Sequence, residues 1–249
     1  MASWVHECIH GGSLKRVDLE TGTNGWASPP GNLFPVRSEQ YLTKRVKSPS
    51  EDCLLSLVGV DWLKSSARID NVLGRRDNRV ALALRKAQAA GASRQSFIFA
   101  INLQLPAKEH LSQVFYFATE ESIPVGSLLH RFINGSDSFR NSRFKIVNNI
   151  VKGPWIVKKA VGKHGTCLIG NALTCSYHRG EKYFEIDVDV GSSKLAKTMF
   201  HLVLGHVTSV SIDMGFLVEG KTEEELPERL IGAVRLSHLD TSSAEDIDG

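Results

Sequence analysis

A chain of 249 residues that is 42% hydrophobic and 23% charged has the apolar content for a substantial core and the charge of an ordinary soluble protein. No stretch approaches the ~20 apolar residues of a membrane span, and the opening MASWVHECIHGGS has neither a secretory pattern nor a glycine at position 2 for myristoylation. Cys8, Cys53, Cys167 and Cys175 match no zinc spacing, so the expectation is a reduced, cytoplasmic protein with free thiols, no metal and no cofactor.

Residues 1–50 are rich in Gly, Pro, Ser and charge; 1–40 are expected to form an irregular arm, partly laid across the main body by Trp4, Trp26 and Phe34. The main domain is placed at 41–240. A short apolar run predicts a strand over 54–63, and strong helix formers with Val80, Leu84 and Ala87 on one face predict a helix over 75–90. The clearest strand pair is 96–105 with 113–118: Phe97, Phe99, Ile101, Leu103 and Leu105 share one face, and Pro106 ends the first strand. Ser127 caps a short helix closed by Gly135, and Asn134-Gly135-Ser136 reads as a turn.

A second hairpin is expected from 168–177 and 183–190. In its second arm Phe184, Ile186, Val188 and Val190 alternate with Glu185, Asp187 and Asp189. Ser192 or Ser193 opens a helix to about His206, with Leu195, Met199, Leu202 and Val203 toward the core. A strand over 209–219, a capping box from Thr222 and Glu225, and a last strand over 230–236 complete the domain; 241–249 is an acidic tail. Strands mostly follow strands, with a few helices inserted, which argues for an α+β fold with a largely antiparallel sheet.

Net charge is only +3, but it is unevenly spread, with an acidic C-terminal end and a basic middle. Residues 128–165 hold Arg131, Arg140, Arg143, Lys145, Lys152, Lys158, Lys159 and Lys163 against one acid, Asp137. Phe132, Phe139, Phe144 and Trp155 lie among them, which a disordered basic tail would lack. Two readings follow. The basic side chains converge on an anionic partner, or they form a solvated surface whose acids lie elsewhere along the chain. On the first reading the partner is a lipid or membrane surface, or an acidic protein, ahead of nucleic acid.

SLLHRFINGSDSFRNSRFKIV, KGPWIVKKAVG, YFEIDVDVGSS and TEEELPERLIGAVRLSHLD resemble the C-terminal domain of the plant enhanced disease resistance 2 family, and GVDWLKSSARIDNV and FAINLQLP fit the same pattern. The resemblance runs from about Tyr41 to Asp240. Longer members of that family carry a pleckstrin-homology and a START domain ahead of it; the resemblance implies this domain alone, in a family linked to defence and restraint of cell death.

Three acids on one strand face, Glu185, Asp187 and Asp189, do not converge as a hard cation requires, so a solvated or Arg-paired face is expected. His201 and His206 are five apart and lack the geometry of a zinc pair, and no nucleophile motif or phosphate loop is present. Trp62 and Trp155 suit rim packing or the wall of a ligand site. The apolar faces containing Phe99, Ile101, Met214 and Phe216, with Trp155, either line a cavity or fill a core. The reading is a non-enzymatic regulatory module for a lipid or other lipophilic or anionic ligand; the alternative is a module that docks an acidic protein through its basic surface.

Overall fold

The computed structural model describes residues 2–107, 109–162 and 164–248. In chain order they form helix α1 (Ser3–His10), strands β1 (Lys15–Arg16), β2 (Gly25–Ala27) and β3 (Pro35–Arg37), helix α2 (Tyr41–Lys44), strands β4 (Lys47–Pro49) and β5 (Ser56–Ser65), and helix α3 (Arg79–Ala89). Then come β6 (Phe97–Leu105), β7 (His110–Thr119), α4 (Leu128–Asn134), α5 (Asp137–Asn141), β8 (Phe144–Lys152), α6 (Trp155–Val161), β9 (Gly165–Leu168) and α7 (Ile169–Ala172). The chain closes with β10 (Thr174–Arg179), β11 (Tyr183–Asp189), α8 (Lys194–Leu204), β12 (Ser211–Val218), β13 (Leu230–Ser237) and β14 (Glu245–Asp246).

The fold is α+β. One six-stranded sheet runs β1-β2-β13-β12-β8-β9, a second runs β10-β11-β6-β7-β5-β14, and β3 pairs with β4. Most pairings are antiparallel; β1–β2, β11–β6 and β14–β5 are parallel. The expected pair 96–105 with 113–118 is the antiparallel β6–β7 hairpin, with Phe99 opposite Phe117 and Ile101 opposite Phe115.

Alternation along these strands gives each sheet an inner face, and the two inner faces meet. Phe115 and Phe117 reach Phe216 of β12 with ring centroids 5.7 and 6.1 Å apart, and Phe132 of α4 wedges between Phe144 and Phe184. Gly232 on β13 lets the sheets approach: a Cβ there would stand 2.2 Å from the Phe117 ring. The outer face of the second sheet is covered by α1, α3 and a 3₁₀ turn at Val72–Gly74.

The N-terminal segment is more ordered than an irregular arm. Trp4, Val5, Cys8 and Ile9 form the buried stripe of α1, and Trp26 sits in β2, which pairs with β13. The acidic tail is also tied down. Glu245 and Asp246 pair with β5, and Asp248 accepts from the Ser65 hydroxyl at 2.8 Å and from the Ser66 N–H. Strand β8, between β12 and the edge strand β9 of the first sheet, has no counterpart among the expected elements. The expected strand over 168–177 is instead β9, a turn of helix and β10. Ser127, Ser193 and the Thr222–Glu225 box cap as their positions predict.

Candidate functional site

The basic residues do not converge on a surface. Arg143 pairs with Glu225 at 2.6 Å and also donates to the Glu219 carbonyl. Arg131 reaches the same Glu225 at 3.0 Å, and Lys145 is buried between Glu228 and Glu219. Burial works to raise the Glu225 carboxyl, but the Lys221 N–H and the Arg143 guanidinium hold it below its ordinary value. Arg140 closes the α4–α5 corner, donating to the Phe132 and Ile133 carbonyls and to Asp137. Lys152 donates to the Glu20 carbonyl at 2.7 Å. Lys158 and Lys159 are exposed on α6, and Lys163 lies outside the described residues. Of the eight cations, Arg131, Arg143 and Lys145 answer acids 80 or more positions downstream and Arg140 answers Asp137, while Lys158 and Lys159 stay exposed.

The acid row is corrected. Glu185 and Asp187 are both 0% exposed. Their strand faces the covering turn, so Glu185 accepts from the Val72 and Leu73 N–H groups at 2.7 Å each, capping that turn. Asp187 accepts from the Asn71 N–H and from Asn102, and meets His178 Nε2 at 2.8 Å. Burial, and next the neighbouring Asp187 charge, push the Glu185 carboxyl up to about 9. Asp189 alone is partly solvated, paired with Arg68.

Of the expected apolar liners, Phe99, Ile101 and Phe216 are fully buried in the packed core, and Trp155 is 73% exposed on α6. Met214 behaves differently. It lines an apolar cavity of about 210 Å³ between the two sheets. Trp62, Leu103 and Gln113 come from the second sheet; Asn148, Ile212, Met214 and Leu236 come from the first. Met199, Phe200 and Val203 of α8 close one side. That helix has no buried residue, and Leu195, expected toward the core, is 71% exposed. A pattern that buries one face of a core helix here gives a lightly held wall.

Three of the lining residues carry an unpaired polar atom. Trp62 Nε1, Gln113 Nε2 and Asn148 Oδ1 are buried and have no hydrogen-bond partner among the described residues. A buried polar atom left this way costs about 1–3 kcal/mol, and most native ones are paired. Trp62 and Gln113 face each other across β5 and β7, while Asn148 is paired with Met214 in the opposite wall. Gln113 shares its strand face with Phe115 and Phe117, and Asn148 shares its face with Phe144 and Ile146. A polar residue at an inward position of an apolar alternation is the signal that the sequence carries for these two positions. No ionisable side chain lines the cavity among the described residues. A wider groove of about 500 Å³ lies between residues 53–55, 119–129 and 225–231, but none of the unpaired buried atoms lines it.

The family model for "Protein ENHANCED DISEASE RESISTANCE 2, C-terminal" matches residues 26–240. The chain belongs to this family. It is 45% identical over 233 residues to "Protein ENHANCED DISEASE RESISTANCE 2-like" from Arabidopsis thaliana, a match that covers 94% of this chain and 31% of the relative. The chain therefore spans less than a third of that relative's length. No solved structure matches it. The enhanced disease resistance match takes in the whole cavity wall, from Trp62 to Leu239, and leaves out α1. Among the described residues no helix is long and apolar enough to cross a membrane.

Proposed function

We propose that this enhanced disease resistance 2 C-terminal domain is a non-enzymatic regulatory module that binds a lipophilic ligand in the inter-sheet cavity beneath α8. The observation that carries the reading is the cavity itself, apolar walls in which three residues carry an unpaired buried polar atom. Binding pockets have this composition, mostly apolar with a few placed polar groups. Its 210 Å³ holds about seven water-sized groups at ~30 Å³ each, the end of a chain or a small ring. A longer ligand enters by displacing α8, the wall with no buried anchor.

Ligand exchange at a membrane surface, from the cytoplasmic side, is part of this proposal. Trp155, Ile156, Lys158 and Lys159 are all exposed on α6, whose Val161 also lines the cavity. An exposed Trp beside lysines suits the boundary between headgroups and water.

Protein purified without detergent and extracted with chloroform–methanol should release a lipophilic molecule at close to one per chain. Met214→Trp should release none. A parent that releases nothing, and after extraction takes up no neutral lipophilic fluorophore, contradicts the reading.

A further inference from the structure

The unpaired atoms of the lining residues constrain what fits there. Trp62 Nε1 and Gln113 Nε2 are N–H donors, and Asn148 Oδ1 is an acceptor. Trp62 and Gln113 are 2% and 5% exposed, so bulk water does not serve them. A hydroxyl group offers one O–H and two lone pairs, the complement of two donors and one acceptor. A ketone or ester accepts from both donors but leaves Asn148 Oδ1 unserved. A carboxylate is acceptor-only as well, and its charge would face walls that hold no cation among the described residues, where an unpaired ion is strongly disfavoured. An ammonium group only donates and meets no counter-charge there.

We propose, resting on the cavity-binding reading above, that the ligand is an uncharged lipophilic alcohol. Its hydroxyl accepts from Trp62 Nε1–H and Gln113 Nε2–H and donates to Asn148 Oδ1, while its hydrocarbon lies against Met214, Ile212 and Phe200. The head is held from both sheets, since Trp62 and Gln113 belong to one wall and Asn148 to the other. Trp62, Gln113 and Asn148 are then specificity residues: they select a hydroxyl over a charged head.

The test uses three small probes of matched shape, toluene, benzyl alcohol and benzoate, titrated at pH 7.5 into the full chain and followed by amide chemical shifts. In a cavity without hydrogen-bond partners, the hydroxyl disfavours the alcohol against the hydrocarbon by roughly a thousandfold. With the three partners in place, benzyl alcohol binds as tightly as toluene to within tenfold, and benzoate binds more weakly than either. Trp62→Phe and Asn148→Leu should each weaken benzyl alcohol by about tenfold, while toluene, which reports an intact cavity, stays within about threefold. Toluene binding with benzyl alcohol more than tenfold weaker overturns the hydroxyl assignment and leaves the cavity a ligand site. Benzoate binding tightest overturns it too. If neither toluene nor benzyl alcohol binds, the cavity-binding reading falls and this inference with it.

Discussion

Replacing Met214 by tryptophan separates a cavity from a packed core. Met214 is buried on β12, opposite Asn148 of β8 and Val234 of β13, with its side chain on the cavity wall. The substitution adds about six non-hydrogen atoms, which at ~30 Å³ each need at most about 180 Å³. The cavity offers about 210 Å³. The indole therefore enters existing space, and added contacts offset the cost of ordering it. In a filled interior the same change forces side chains off their rotamers and costs typically 1–3 kcal/mol. Urea unfolding reads the difference. With a slope of about 2–3 kcal/mol/M, a loss of 2 kcal/mol moves the midpoint down by about 0.7–1 M. The expected midpoint is within about 0.3 M of the parent or above it, at unchanged slope. A fall near 1 M refutes the reasoning, because it shows that the space is already filled.

Asp187→Ala strips buried partners from the Asn71 N–H, Asn102 and His178, and should destabilise by about 3 kcal/mol in the same assay; a loss under 1 kcal/mol would place the side chain in solvent. Glu185 holds its proton in the folded state up to about 9, against 4.5 ordinarily. Its contribution to stability is complete below pH 4.5 and is lost as pH rises toward 9, since only the unfolded chain gives up that proton in this window. Thermal melts from pH 5 to 9 should decline less steeply for Glu185→Gln than for the parent, and equal slopes would show a carboxylate ionised in the fold. Lys158→Glu with Lys159→Glu should cut binding to anionic vesicles about 30-fold or more, at about 1 kcal/mol per lost basic residue. Folding should be unaffected; vesicle binding insensitive to the pair and to salt counts against a membrane role for α6.

How far the sequence carried the fold depends on whether the information was local. The faces of β6, β7 and β11 follow from two-residue alternation, and the caps at Ser127 and Ser193 from their place before apolar runs. Alternation says which residues share a face but not what covers it. A solvated or Arg-paired face is what the local sequence suggests for Glu185 and Asp187, because the covering turn at 72–74 lies more than 100 positions away. Arg143 and Lys145 looked like a charged patch for the same reason, their partners Glu225 and Glu228 being 82 and 83 residues on. Reading those charges as surface also hid β8, in which Phe144 and Ile146 face inward while Lys145 turns to its acids. Helix α1 carried a legible signal in Trp4, Val5, Cys8 and Ile9, lost under the surrounding Gly and Pro. The cavity had no direct signal, because a gap between elements is a property of packing. Its nearest trace was polar: Gln113 and Asn148 at inward positions of otherwise apolar strands.

The most direct test of the ligand site is a crystal of this domain soaked with 4-bromobenzyl alcohol and measured at the bromine absorption edge. The account predicts one dominant anomalous peak between the sheets, beside Met214 and under α8, with the hydroxyl within hydrogen-bond distance of Trp62 Nε1, Gln113 Nε2 and Asn148 Oδ1. Bromine in the groove between residues 119–129 and 225–231, or no bound bromine at all, contradicts it.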